Sequence, residues 1–147
     1  MVVSFDFDDT LLLTRPCADW GTVGAGPNKP MLAALREHAA CGDTAIIVTT
    51  RNESRDAEAH KGMGPSRTPV SMFVALHGLP VESIHFTDGE HKAETLVVLG
   101  VSKHFDDDDD DELAQIPEGI EGVLTPIGTA PARFSLVERF RMRNPPV

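Results

Sequence analysis

Short apolar, β-branched runs alternate along this chain with stretches whose apolar residues recur at helical spacing. Val2, Val3 and Phe5 predict a short strand buried on both faces, with Asp6 at its carboxyl end. Asn28 and Pro30 mark a helix start, Met31, Leu32, Leu35 and Ala39 share one face, and Gly42 stops it. Thr44 to Thr49, Thr-Ala-Ile-Ile-Val-Thr, predicts a central strand. Helical spacing returns from Val70 to His77, before Gly78. Ser83 to Thr87 predicts a third strand, Lys92 to Leu99 a helix closed by Gly100, and Ser102 to Phe105 a fourth strand. A helix over Asp110 to Ile116, a fifth strand over Gly122 to Thr125 and a final helix over Phe134 to Met142 complete the pattern.

Two stretches break the rhythm. Thr14 to Lys29 holds Gly21, Gly24, Gly26, Pro27 and the only tryptophan, Trp20, without periodicity, and reads as a loop or small flap. Arg51 to Thr68 is polar, with Gly62, Gly64 and Pro65, and reads as a loop or a loosely formed helix. Strand and helix in alternation imply an α/β fold, a Rossmann-like three-layer sandwich with a mostly parallel sheet and right-handed crossovers. Neither break has room for a large cap domain.

Composition narrows this reading. At 147 residues, 41% hydrophobic and 24% charged, the chain suits a single domain over residues 1–147. No run of about 18 apolar residues predicts a membrane span, and no basic stretch followed by an apolar signal core opens the chain, so the expectation is a cytoplasmic protein. Cys17 and Cys41 lack metal-ligand or redox spacing, which favours reduced thiols. A net charge of −10 opposes broad attraction to nucleic acid. Six of the acids are consecutive, Asp106 to Asp111, however, and Arg133, Arg139, Arg141 and Arg143 sit near the carboxyl end, so a nucleic-acid end stays open as a substrate.

The chemistry concentrates at predicted strand ends, where open α/β sheets bind their ligands. Asp6, Asp8 and Asp9 would repel one another in a partly dry cleft unless a cation, protons or hydrogen bonds compensated. The plainer alternative, that Asp8-Asp9-Thr10 caps a following helix, leaves Asp6 unexplained. Thr49-Thr50-Arg51 follows the second strand, Lys92 opens a helix after the third, and Asp106-Asp107 follow the fourth. This order of acid pair, hydroxyl, lysine and acid pair resembles the haloacid dehalogenase superfamily of phosphatases and phosphotransferases over roughly residues 1 to 115, with Asp6-Phe7-Asp8-Asp9-Thr10 matching D-x-D-x-T.

Residue types supply the corresponding roles. Displacing phosphate needs a nucleophile, an acid for the leaving oxygen and positive charge around the phosphoryl group. Asp6 is the natural nucleophile, forming an aspartyl-phosphate. Asp8 is the general acid/base; a halide leaving group would need no such donor. Thr49 and Thr50 are candidate phosphate donors, although threonine ends many strands. Arg51 either grips phosphate or is an ordinary surface charge. Lys92 would neutralise Asp6 and the phosphoryl group, at a position the helix dipole otherwise disfavours for lysine.

The resemblance implies Mg²⁺ bound by Asp6, the Asp8 backbone carbonyl and an acid of the last motif, with Asp107 the first choice and Asp106 the second. A further acid, Asp111 or Glu112, would fit that motif. All-oxygen ligation suits Mg²⁺ rather than zinc, and the aspartate run lacks the alternating ligands and central glycine of an EF-hand. His85 and His104 read as structural polar residues, and no serine sits in a nucleophile-elbow sequence.

An open, capless site admits a macromolecular end. Thr-Thr-Arg, Lys92 and His-Phe-Asp-Asp are similar to the phosphatase module of polynucleotide kinase-phosphatases; no P-loop for a kinase half is present. The expected substrate is a nucleic-acid 3′-phosphate or a nucleotide. A small-metabolite phosphatase, for instance of sugar phosphates, and a noncatalytic metal- or partner-binding domain are the alternatives.

Overall fold

The computed structural model describes residues 1–17, 21–58 and 68–125. Its centre is a five-stranded sheet of β1 (Val2–Phe5), β4 (Thr44–Thr49), β5 (Ser83–Phe86), β6 (Val101–Asp106) and β7 (Glu121–Leu124), in the order β5-β4-β1-β6-β7. Every pairing is parallel. Between these strands run α1 (Lys29–Ala40), α2 (Glu53–Glu58), α3 (Val70–Leu76), α4 (Ala93–Val98) and a 3₁₀ turn over Leu113–Gln115. β2 (Leu12–Cys17) and β3 (Gly21–Pro27) pair antiparallel as a separate hairpin.

The period-2 geometry of the strands sorts side chains to two faces. Val3, Phe5, Ala45, Ile47 and Phe105 meet Met31, Leu32 and Leu35 of α1 and Val70 and Phe73 of α3. Ile46 and Val48 point the other way, onto Leu96 of α4, with Leu99, Ile116 and Ile120 alongside. Helices thus cover both faces of a parallel sheet, an α/β architecture compatible with a Rossmann-like fold. A register shift in β6 after Val101 puts His104 opposite Ser4 and Phe105 opposite Phe5, whose rings stack at 4.8 Å. β1 is central, with strands added on both sides of it, so the crevice beside its carboxyl end is where such sheets place ligands.

Two expectations change. The stretch read as a loop or flap forms the β2–β3 hairpin, held by backbone pairing that its glycine-rich, non-alternating sequence does not advertise. The helix expected over Asp110 to Ile116 shrinks to one 3₁₀ turn. Aspartates compete for the backbone of their own segment: the Asp111 amide donates to Asp108 Oδ1, and the Leu113 amide to the Asp108 carbonyl. That turn lies close on β7, where a Cβ at Gly122 would come within 3.0 Å of Ile116. Within Arg51 to Thr68, α2 is the short helix that the reading allowed for. Trp20, Gly62, Gly64, Pro65, the helix expected over Phe134 to Met142 and the four carboxyl-terminal arginines lie outside the described residues.

Candidate functional site

Directly after β1 the chain makes a compact turn. The amides of Thr10, Leu11 and Leu12 donate to the Phe7 carbonyl, and Asp9 adopts a left-handed φ of 61°. Aspartate tolerates that conformation because its side chain bonds locally, here accepting from the Thr14 amide at 3.0 Å and hydroxyl at 2.8 Å. The chain then enters β2, so no helix follows for Asp8-Asp9-Thr10 to cap. The turn instead sends Asp6 and Asp8 to different surroundings.

Asp6 is buried between β1 and β6. Its Oδ1 accepts from Lys92 Nζ at 2.6 Å and its Oδ2 from the Thr10 hydroxyl at 3.0 Å, which also meets the Thr125 hydroxyl at 3.1 Å. Lys92, at the amino end of α4, is 2% exposed and reaches Asp106 Oδ2 as well, at 2.6 Å. Its backbone amide donates to Glu112. A buried ammonium is tolerable only when paired, and here two carboxylates share one. Burial works against the Lys92 charge, but Asp6 and Asp106 outweigh it and hold the ammonium above its ordinary range. Burial pushes the Asp6 carboxyl up to about 7, with Lys92 opposing and Asp106 and Asp8 reinforcing. Asp106 goes the other way: hydrogen bonding from His104 and the Lys92 charge overcome its burial and hold it low.

His104 is fully buried, with Nδ1 2.6 Å from the Ser4 hydroxyl and Nε2 2.9 Å from Asp106 Oδ2. With the Asp106 carboxylate accepting from Nε2–H, the Ser4 hydroxyl donates to Nδ1. The Ser-His-Asp order resembles a nucleophilic triad, yet Ser4 is 0% exposed and meets no cleft. The chain Ser4–His104–Asp106–Lys92–Asp6 is a buried scaffold that ends at the site.

Asp8 lines another part of the cleft wall, with its side chain 37% exposed. Arg51 holds it in a two-point fork, Nε to Oδ2 at 2.8 Å and Nη2 to Oδ1 at 2.7 Å. Both parts line an open cleft of about 670 Å³ that also reaches Thr50, Asp88, His91 and the Asp107–Glu112 loop. The β4 and β5 loops at its mouth are joined by the Gly89 amide on the Thr50 carbonyl and by Asn52 on Asp88.

Most of the residues singled out in the sequence therefore converge. Asp6, Asp8, Thr50, Arg51, Lys92, Asp106 and Asp107 line one cleft. Thr49 does not: it is 1% exposed, and its hydroxyl accepts from the Arg51 amide at 3.2 Å. Arg51 is no ordinary surface charge, being 8% exposed. Carboxylate oxygens of Asp6, Asp106 and Asp107 lie within 4.8 Å of one another, a spacing and donor set that fits one hard divalent cation. The Asp8 carboxylate is turned to Arg51 instead. Thr10, Asp56 and Ser4 were not singled out. Thr10 was legible as part of the D-x-D-x-T match, whereas Ser4 and Asp56 carry no local signal. Among the described residues no helix is long and apolar enough to cross a membrane. Comparison with protein-family models gives no match, and comparison with curated proteins gives none.

Proposed function

We propose that this chain is a Mg²⁺-dependent phosphomonoester hydrolase of the haloacid dehalogenase type. The observation that carries the reading is the meeting of Asp6, Lys92, Asp106 and Asp107 in one cleft that Asp8 also lines. Asp6, Asp106 and Asp107 would hold Mg²⁺ through their carboxylates, together with the Asp8 backbone carbonyl; the bound ion would supply positive charge to the phosphoryl oxygens. Thr10 and Lys92 fix the two Asp6 oxygens from opposite sides, so the nucleophile is oriented before substrate arrives.

In the first step an Asp6 oxygen bonds to phosphorus as the bond from phosphorus to the ester oxygen breaks, and Asp8, entering the step protonated on a lone pair outside the Arg51 fork, gives that proton to the departing alcohol. In the second, water bonds to phosphorus, the Asp6–phosphorus bond breaks, and Asp8 takes the water proton. Each returns to its starting state. Lys92 lies within reach of the charge that builds on the Asp6 side.

Among the expected substrates the charge of the cleft favours a nucleoside monophosphate over a nucleic-acid 3′ end. Of the basic side chains lining the cleft, Arg51 and Lys92 are already paired, which leaves Arg55 for a single substrate phosphate, while Asp88, Asp108, Asp111 and Glu112 make the cleft hostile to a strand carrying several. The test is phosphate release from nucleoside monophosphates, 3′-phosphorylated oligonucleotides and sugar phosphates, with Mg²⁺ or chelator and with Asp6→Asn as control. Nucleotide turnover that needs Mg²⁺ and Asp6 is the expected result. Turnover of sugar phosphates alone would move the protein to small-metabolite chemistry, and Mg²⁺ binding with no release from any ester would make it a noncatalytic domain.

A further inference from the structure

The proposed chemistry uses Asp8 but leaves unassigned the group that holds it. Arg51 has five N–H donors in a planar fork, and four are committed inside the protein. Nε and Nη2 go to the two Asp8 oxygens, and Nη1 goes both to Asp56 Oδ1 at 2.6 Å and to the Thr68 carbonyl at 2.7 Å. The guanidinium lies over the Phe7 ring, 4.7 Å from its centroid, and Phe7 is the residue between Asp6 and Asp8. Asp56 is the buried residue of α2, and both its oxygens also accept from the Val70 amide at 3.2 Å, at the start of α3. Phe7 in turn packs edge-on against Phe73 of α3.

We propose that Arg51 and Asp56 are positioning residues for Asp8, fixing its carboxylate towards the leaving-group oxygen, and that Arg51 is not a phosphate grip. The inference rests on the phosphatase reading above. A half-exposed aspartate on a turn would otherwise sample several rotamers, and proton delivery falls quickly with misplacement. The Phe7 face, the Asp56 carboxylate and the Thr68 carbonyl hold the guanidinium from three directions. Asp56 also balances its charge, so the buried cation is not left to Asp8 alone. Lysine, with a point charge and no fork, cannot replace it here.

The two roles for Arg51 differ in how they depend on the leaving group. Loss of a phosphate grip weakens all phosphomonoesters alike and raises KM. Misplacing the acid slows expulsion of poorly leaving alcohols and spares nitrophenolate, which departs without a proton; hydrolysis of the aspartyl-phosphate, where Asp8 is the base, slows alike for both esters, so the contrast lies in kcat/KM, which reports the expulsion step. The experiment compares kcat/KM for an alkyl phosphate and p-nitrophenyl phosphate in wild type, R51K, D56N, D8N and the R51K/D8N double variant, all with Mg²⁺.

R51K and D56N are expected to lose at least about 10-fold more kcat/KM on the alkyl ester than on the nitrophenyl ester, within the roughly 10²- to 10⁴-fold that a general acid supplies. On the nitrophenyl ester kcat/KM should change less than about threefold, and R51K should add nothing in the D8N background. D56N keeps an acceptor for Arg51 and Val70 and carries the comparison if R51K does not fold. Equal losses of kcat/KM on both esters, or an R51K effect that persists without Asp8, would overturn the positioning role and leave the phosphatase reading intact. A wild type inert on both esters removes that reading and this inference together.

Discussion

Asp6 and Asp8 are the same residue type, two positions apart on one turn, and the protein gives them opposite surroundings. Asp6 sits in a buried cluster where two carboxylates share one ammonium, leaving an excess negative charge. Asp8 stands half in solvent, paired with a guanidinium whose charge is also balanced by Asp56. Each cluster thus sets two carboxylates against one cation; the Asp6 wall differs in being buried and in having the Asp107 carboxylate within 4.8 Å, whereas Asp8 turns part of its side chain to water. Burial with a like-charged neighbour is what lifts the Asp6 carboxyl to about 7, a poor state for a nucleophile at neutral pH. Three carboxylates in one dry spot suit that wall to a cation, whereas both Asp8 oxygens are already held in the Arg51 fork.

The largest effect that tests this contrast is catalytic. On the proposed roles, Asp6→Asn should lower phosphate release below about 10⁻⁴ of wild type on every ester, since no covalent intermediate can form. In the rate of alcohol release, Asp8→Asn should cost about 10² to 10⁴ on alkyl esters and much less on a nitrophenyl ester, while slowing the shared hydrolysis of the aspartyl-phosphate for both. Single-turnover assays with trapped aspartyl-phosphate separate the two. An active Asp6→Asn with an inert Asp8→Asn would reverse the assignment of the walls.

Next comes stability. Lys92→Met removes the one cation between Asp6 and Asp106, leaving two buried carboxylates face to face, and should destabilise by about 3–5 kcal/mol in urea unfolding with chelator present. The partly exposed Asp8 has water to turn to, so Asp8→Asn should cost less than about 1 kcal/mol in the same assay. Equal losses would mean that the two walls are not electrostatically distinct.

A pH series sharpens the comparison. The folded Asp6 carboxyl binds its proton more tightly than the unfolded one, about 7 against 3.8. Its contribution is therefore fully present below pH 3.8 and is lost as pH rises through 7, on the order of 4 kcal/mol when complete. Asp106, held low, works in the opposite sense, favouring the fold above its unfolded value and losing that contribution as pH falls. Subtracting the Asp6→Asn variant isolates Asp6. In chelator, wild type should lose stability relative to Asp6→Asn between pH 4 and 7, and saturating Mg²⁺ should abolish the loss. Parallel curves in chelator would mean that Asp6 is already ionised without a cation.

How far the sequence foretold this follows from where each signal resides. The strands were legible because apolar β-branched runs such as Ala45 to Val48 fill both faces of a parallel sheet, and strand ends locate ligand groups, which picked out Asp6, Lys92 and Asp106. The β2–β3 hairpin was not legible, because its pairing is backbone chemistry in a glycine-rich stretch with no alternation to reveal it. Asp56 and Ser4 were missed for another reason. Asp56 meets Arg51 only five residues before it, in a polar stretch that does not tell which acid folds back, and Ser4 meets His104 across the β1–β6 register, which no local pattern encodes.

Ser4 gives the smallest effect and the finest test of the buried wall. Among the described residues its hydroxyl is the sole hydrogen-bond partner of His104 Nδ1, 100 residues away, and the other ring nitrogen holds Asp106. Ser4→Ala leaves that nitrogen buried and unpaired at little cost in volume, which should destabilise by about 1–3 kcal/mol. Because Asp106 Oδ2 is also held by Lys92 and Oδ1 by the Asp108 amide, the carboxylate should stay in place, and Mg²⁺ affinity should change less than about threefold. His104→Ala removes both bonds and should cost more in each respect. If Ser4→Ala weakens Mg²⁺ binding as much as His104→Ala does, the position of Asp106 depends on the whole relay, and the Asp6 wall is more finely balanced than its salt bridges alone convey.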